Sequence, residues 1–157
     1  GAMVRLGPQA VETLRKAIRE QVADSEEQNQ LRNRLEHFLL ENEEVLPQAA
    51  DALRCGNVER FGQLVDRSQW GAEHLLGNQV PETIFLTHSA RELGAVAASA
   101  FGAGFGGAVW ALVEAKKAER FLEQWRQAYL SAFPEHEPAA EFLLSGAGPA
   151  AFALVPA

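Results

Sequence analysis

The chain has 157 residues, 47% hydrophobic and 22% charged, the length and balance of one globular domain rather than of a disordered chain. A net charge of -7 and a pI near 5.1 remove the electrostatic reason to seek nucleic acid or an anionic membrane surface. No apolar run nears the roughly 18 residues of a membrane-spanning helix, and the single cysteine, Cys55, excludes an internal disulfide and a cysteine-rich zinc site. No signal segment opens the sequence, so a cytoplasmic location is expected. Gly1-Ala2-Met3 reads as the remnant of a cleaved tag, which leaves 4–157 as the domain.

Val11, Leu14, Ile18 and Val22 recur at helical steps behind Pro8, which is tolerated in a first turn. Ser25-Glu26-Glu27-Gln28 fits a capping box for a second helix. Its stripe runs through Leu31, Leu35, Phe38, Leu39, Asn42, Val45, Leu46, Ala49 and Leu53, with Pro47 predicting a kink near 43–46. Gly56 is a stop and Asn57 an N-cap for a third helix carrying Phe61, Leu64, Val65, Ser68, Ala72, Leu75 and Leu76, closed by Gly77. Pro81 opens a fourth helix, ended by Gly94. Then the period changes: 95–101 and 108–113 read as strands around a glycine-rich loop, 102–107. Ala118, Phe121, Leu122, Trp125, Ala128, Tyr129 and Ala132 form one stripe of a helix, with Trp125 in the core. The segments 141–144 and 151–155 read as two more strands. The expected fold is α+β: a helical first half, then an antiparallel sheet with helices packed on one face.

The loop Gly102-Ala103-Gly104-Phe105-Gly106-Gly107 carries the most specific chemistry. Gly102, Gly104 and Gly107 satisfy the spacing of a dinucleotide fingerprint, but a strand-like run follows where the fingerprint needs a helix, and no acidic residue sits at the ribose position. Two readings stay open on residue chemistry alone: a hairpin turn, where glycine supplies positive φ, and a phosphate-adjacent loop of bare backbone. Elsewhere, His37, His74, His88 and His136 show no ligand spacing, so no metal site is expected. Glu135-His136-Glu137 between prolines reads as a solvated loop, Glu41, Glu43 and Glu44 as a solvated helix face, Ser68 as a helical serine without a base, and Cys55 as an ordinary buried or half-buried thiol.

The segment Gly94-Ala95-Val96-Ala97-Ala98-Ser99-Ala100-Phe101-Gly102-Ala103-Gly104-Phe105-Gly106-Gly107-Ala108 resembles the third conserved motif of galactokinases in the GHMP kinase superfamily, approximately Gly-Ala-x-Gly-Ala-Arg-Met-Thr-Gly-Ala-Gly-Phe-Gly-Gly-Cys. Arg34 to Leu46, Leu53 to Val65, Ser68 and Val80-Pro81-Glu82 resemble that family's other segments in the same order. The resemblance implies the C-terminal, ferredoxin-like lobe of a two-lobed sugar kinase that uses ATP and Mg2+ in its full-length form. It implies a cleft loop at Gly102, Ala103, Gly104, Phe105, Gly106 and Gly107, with Ser99 just before it. It also implies no catalytic base in this chain and no cofactor held by this chain alone.

The implied partners are the N-terminal, ATP-binding lobe of the same protein and a sugar substrate. Long apolar stripes without that lobe lead us to expect self-association. The sequence departs from the motif at Ser99 (family arginine or lysine), Phe101 (threonine or serine), Gln69 (histidine), and Val80 and Ala108 (cysteines). Those losses of a charge and a hydroxyl motivate an alternative expectation: a non-catalytic sugar- or nucleotide-sensing paralogue.

Overall fold

The computed structural model describes residues 7–102, 104–146 and 148. Helix α1 (Pro8–Gln21) carries Pro8 in its first turn as expected, and buries none of its residues below the surface. It is tied to α2 (Ser25–Leu39) by a bidentate Arg15–Glu36 pair at 2.9–3.1 Å. The cap of α2 lies one residue earlier than the expected Ser25: Asp24 Oδ1 accepts from Glu27 N at 2.8 Å, because aspartate at that place already has the right offset to the N3 donor.

Pro47 was expected to kink or break the helix near 43–46; the helix instead runs on through a widened turn just before it. Residues Leu40–Val45 form a π turn, and Leu46 N donates to Glu41 O, five residues back, before α3 (Leu46–Arg54) begins. The inserted residue shifts the phase of the stripe. Leu40, Val45 and Ala52 pack with Leu64, whereas Leu46 and Leu53 point outward at 53% and 55% exposure. Gly56 takes φ 68 and Asn57 Oδ1 accepts from Arg60 N at 3.0 Å, starting α4 (Val58–Gly71). Cys55 is exposed, not buried: it ends α3 next to that left-handed glycine, at the outer corner of the α3–α4 turn. A second π turn, Ala72–Leu76, ends at Gly77 with φ 61, and α5 (Pro81–Glu92) follows.

The hairpin is as expected. Strand β1 (Ala97–Ala100) pairs antiparallel with β2 (Val109–Leu112), with Ala98 opposite Ala111 and Ser99 opposite Trp110. Helix α6 (Ala118–Ala132) supplies Phe121 and Trp125 to the main core, against Ala90, Ala95 and Ala98. Trp125 Nε1 donates to Leu86 O at 3.0 Å, so the buried indole N–H is satisfied. Burial pushes the Tyr129 phenol up, aided by the charges of Glu82 and Glu135.

The α+β class therefore holds, with a small two-stranded sheet among the described residues. The expected strand at 141–144 is not one: Phe142 turns in to pack edge-on against Trp125, and no backbone ladder forms there. The expected strand at 151–155 lies outside the described residues.

Helix α4 runs unusually close to β1. A Cβ on Gly62 would stand 1.9 Å from Val96 O, so only glycine lets the helix reach the strand's backbone. Arg91 of α5 locks the same joint, with its guanidinium bidentate to Asp66 at 2.8 and 2.9 Å and its Nη1 donating to the carbonyls of Ala95 and Val96. Replacing Gly62 by alanine forces helix and strand apart. Urea unfolding of Gly62→Ala is expected to show a loss of about 3 kcal/mol or more, against about 1–2 kcal/mol for Gly56→Ala, where a Cβ meets open space but φ is positive.

Candidate functional site

The glycine loop closes the β1–β2 hairpin, and its first inter-strand bond is Phe101 N to Ala108 O at 2.8 Å. Within it Gly102, Gly104, Gly106 and Gly107 take φ of 72, 81, 105 and 100, and Phe105 takes 62. A run of left-handed residues is what the sequence offers at four glycines, since a side chain there strains the backbone. Phe105 bears that strain with its ring 75% exposed. Ala103 lies outside the described residues.

The loop tip is clamped. Phe105 N donates to Asn78 O, and a Cβ on Gly104 would stand 2.4 Å from that same oxygen and 2.7 Å from the Asn78 side-chain nitrogen. Behind Asn78 lies a chain of directed bonds. Gln79 Nε2 donates to Asn78 Oδ1 at 3.1 Å, and buried Thr83 donates to Gln79 Oε1 at 3.0 Å. Thr83 Oγ1 also accepts from Val80 N at 3.2 Å, which fixes the first turn of α5. Gly102 and Gly107, in contrast, face open space. The described residues of the loop thus form an uncharged strip of backbone, held at its tip by Asn78, whose outer side a ligand can approach closely.

The structure joins Ser99 to this loop through a residue the site expectation left out. Ser99 Oγ donates to Gln69 Oε1 at 3.0 Å, and Ala100 N donates to the same oxygen at 3.0 Å. Asn78 and Gln79 were missed as well. Asn78 follows the helix stop Gly77, a local sign of a turn, but nothing local ties it to Gly104, 26 positions on by their numbers.

Other candidates disperse or change character. Among the described residues no three His, Cys, Asp or Glu gather as a metal-ligand set. Glu41 is not a solvated residue: it is half-buried, and its Oε1 accepts from Ser68 Oγ at 2.5 Å, so Ser68 does have a carboxylate beside it. Glu41 stands at the start of the π turn, and its partner Ser68 lies on α4, 27 positions on. His136 is half-buried rather than solvated, stacked on Tyr129 and 3.4 Å from Glu82. A cavity of about 550 Å3 opens between α4 and α5, bounded by Asp66, Gln69, Trp70, Glu73, His88 and Arg91. The Trp70 ring stacks with His74 at 5.0 Å and has the Arg67 guanidinium 4.8 Å from its centroid. No helix among the described residues is long and apolar enough to cross a membrane.

Comparison with known proteins gives the family of this domain. The family model for the C terminal of GHMP kinases matches residues 49–132, which include α4, α5, the hairpin with its loop, and α6. A galactokinase of Pyrococcus furiosus is 34% identical over 97 residues, 62% of this chain and 27% of that protein. A galactokinase of Ligilactobacillus salivarius is 37% identical over 105 residues, 66% of this chain and 27% of that protein. The crystal structure of Lactococcus lactis galactokinase complexed with galactose has a TM-score of 0.66 at 25% identity, covering 82% of this chain and 33% of that one. The chain therefore spans about a quarter of the length of these curated relatives.

The clamp makes the loop's glycines unequal. Gly104→Ala meets Asn78 and positive φ together, and is expected to cost about 1–3 kcal/mol of stability. Gly102→Ala meets only positive φ, at about 1 kcal/mol. Chemical unfolding of the two variants side by side measures the difference.

Proposed function

The chain belongs to the GHMP kinase C-terminal family, and we propose that it is the C-terminal lobe of an ATP-dependent, galactokinase-like sugar kinase. In the full-length protein that enzyme transfers the γ-phosphate of ATP to a sugar hydroxyl. The observation that carries this reading is the loop at 102–107: a clamped hairpin tip whose glycines leave the backbone bare on the side away from Asn78. A wall of that kind lets phosphate oxygens come within reach of main-chain N–H groups that side chains would screen.

ATP brings the transferable phosphoryl group, and Mg2+ offsets its charge. The residues here fit the first part of that need and not the second. Gly102 and Gly107 leave room for close approach, while the loop contains no lysine, arginine or carboxylate. The cation ligands, the neutralising charges and the base therefore belong to the N-terminal lobe, which we take as this domain's partner. Ser99 and Phe101 fit the same division. The Ser99 hydroxyl is engaged by Gln69, and Phe101 presents a 66% exposed ring, so neither offers charge to a phosphate. This lobe positions and walls the site, and the other reacts. The cytoplasm, where ATP is available, is the compartment this reading implies.

Full-length protein given ATP, Mg2+ and a panel of hexoses is expected to consume ATP in a sugar-dependent manner, and the 157-residue chain alone is expected to be inactive. Gly104→Val in the full-length protein is expected to lower turnover about 10²-fold or more, beyond any loss of folded fraction measured on the same sample. Binding of sugar or nucleotide with no turnover would replace the enzyme with the sensing paralogue. The isolated chain, with Phe38, Leu46 and Leu53 at 41–55% exposure, is expected to self-associate. Sedimentation at several concentrations checks this, and a strict monomer would count against a lobe being missing.

A further inference from the structure

Along an antiparallel strand, successive N–H groups point to opposite edges. Phe101 N is spent across the hairpin on Ala108 O at 2.8 Å, so Ala100 N points to the outer edge of β1. No strand lies there among the described residues; the side chain of Gln69 from α4 does. Its Oε1 accepts from Ala100 N and from Ser99 Oγ, each at 3.0 Å, and the side chain sits in a residue only 4% exposed. Its other end donates to Glu73 Oε1 at 3.0 Å, and the Glu73 side chain is itself 9% exposed. Glu73 Oε1 accepts from the NH2 end of the amide, which turns the carbonyl end toward β1. The carbonyl oxygen has two lone pairs and receives two donors.

We propose that Gln69 is the positioning residue of the glycine loop. It stands in for a further strand at the edge of β1 and sets the direction in which the chain leaves Ala100 for Gly102. Gln69 touches no substrate and acts through the backbone it holds. The positions 69 and 99, both departures from the motif the sequence resembles, are one interlocked pair. A histidine at 69 offers one acceptor nitrogen and leaves one of the two donors unmet. The catalytic consequence rests on the reading of the loop as a phosphate wall; the positioning itself does not.

The test uses Gln69→Met, which keeps length and volume and removes all three bonds, and Ser99→Ala, which removes the hydroxyl and leaves Ala100 N bonded. In the 157-residue chain, NMR follows amide exchange at Ala100 and the amide shifts of Gly102, Gly104, Gly106 and Gly107, with α6 as the internal reference. In Gln69→Met, exchange at Ala100 is expected to accelerate about tenfold or more, with moved glycine shifts and unchanged exchange in α6. Ser99→Ala moves the same signals less, and it carries the comparison if the methionine variant does not fold.

Unchanged Ala100 exchange and glycine shifts would overturn the proposal. So would an equal acceleration in α6, the mark of a residue that merely fills the core. In the full-length protein, kcat is expected to fall more than KM for ATP rises. An NMR response together with no turnover in the unsubstituted full-length protein would keep the positioning role and remove the kinase reading.

Discussion

The close approach of α4 to β1 governs this domain. It exists because Gly62 has no side chain where Val96 O arrives. Everything beyond that contact uses the short distance it creates. Arg91 spans from α5 to Asp66 on α4 and to the carbonyls that open β1, tying three elements with one planar cation. Seven residues after Gly62 by number, nearly two helical turns, Gln69 lies over the far end of the same strand. A two-stranded hairpin is marginal by itself in water. Here one edge is covered by a helix, while the Ala98 side rests on Phe121 and Trp125.

The loop at the hairpin tip is fastened at two places. Gln69 holds Ser99 and Ala100 ahead of it, and Asn78 holds its middle, through a hydrogen-bond chain that ends on buried Thr83. Under the kinase reading we propose, such fixation would aim a backbone donor at a phosphate with no reorganisation left to do. At position 99 the hydroxyl is a structural donor, spent on Gln69 Oε1.

Much of this was legible in the residues, and what was not has physical causes. Helix stripes, the Pro47 disturbance, the Asn57 cap, the stops at Gly56, Gly77 and Gly94, and the hairpin around 102–107 are local signals, set by φ preferences and by which N–H groups can be satisfied nearby. The strand expected at 141–144 rested on apolar character alone, which does not say whether a neighbour will supply a ladder; Phe142 found aromatic rings instead. Cys55 was judged by the burial habit of its type, but the turn it occupies lies at the surface. Gln69 with Ser99 and Asn78 with Phe105 join residues about 30 positions apart. No periodicity carries that pairing, so the glycines were visible and their anchors were not. Ser68 with Glu41, 27 positions apart, was hidden for the same reason.

That π turn has a consequence for how the sequence tolerates change in length. One surplus residue in Leu40–Val45 rotates everything after it by about 100° relative to an unbroken helix. A one-codon deletion inside the turn would restore a regular backbone locally, and would still be a drastic change. It would swing α3 about its axis, carrying Ala52 off Leu64 and bringing a different side of the helix to α4. The irregular stretch is therefore the register mark of the helical half: its length is held by what lies downstream, although its own side chains Glu43 and Glu44 face solvent.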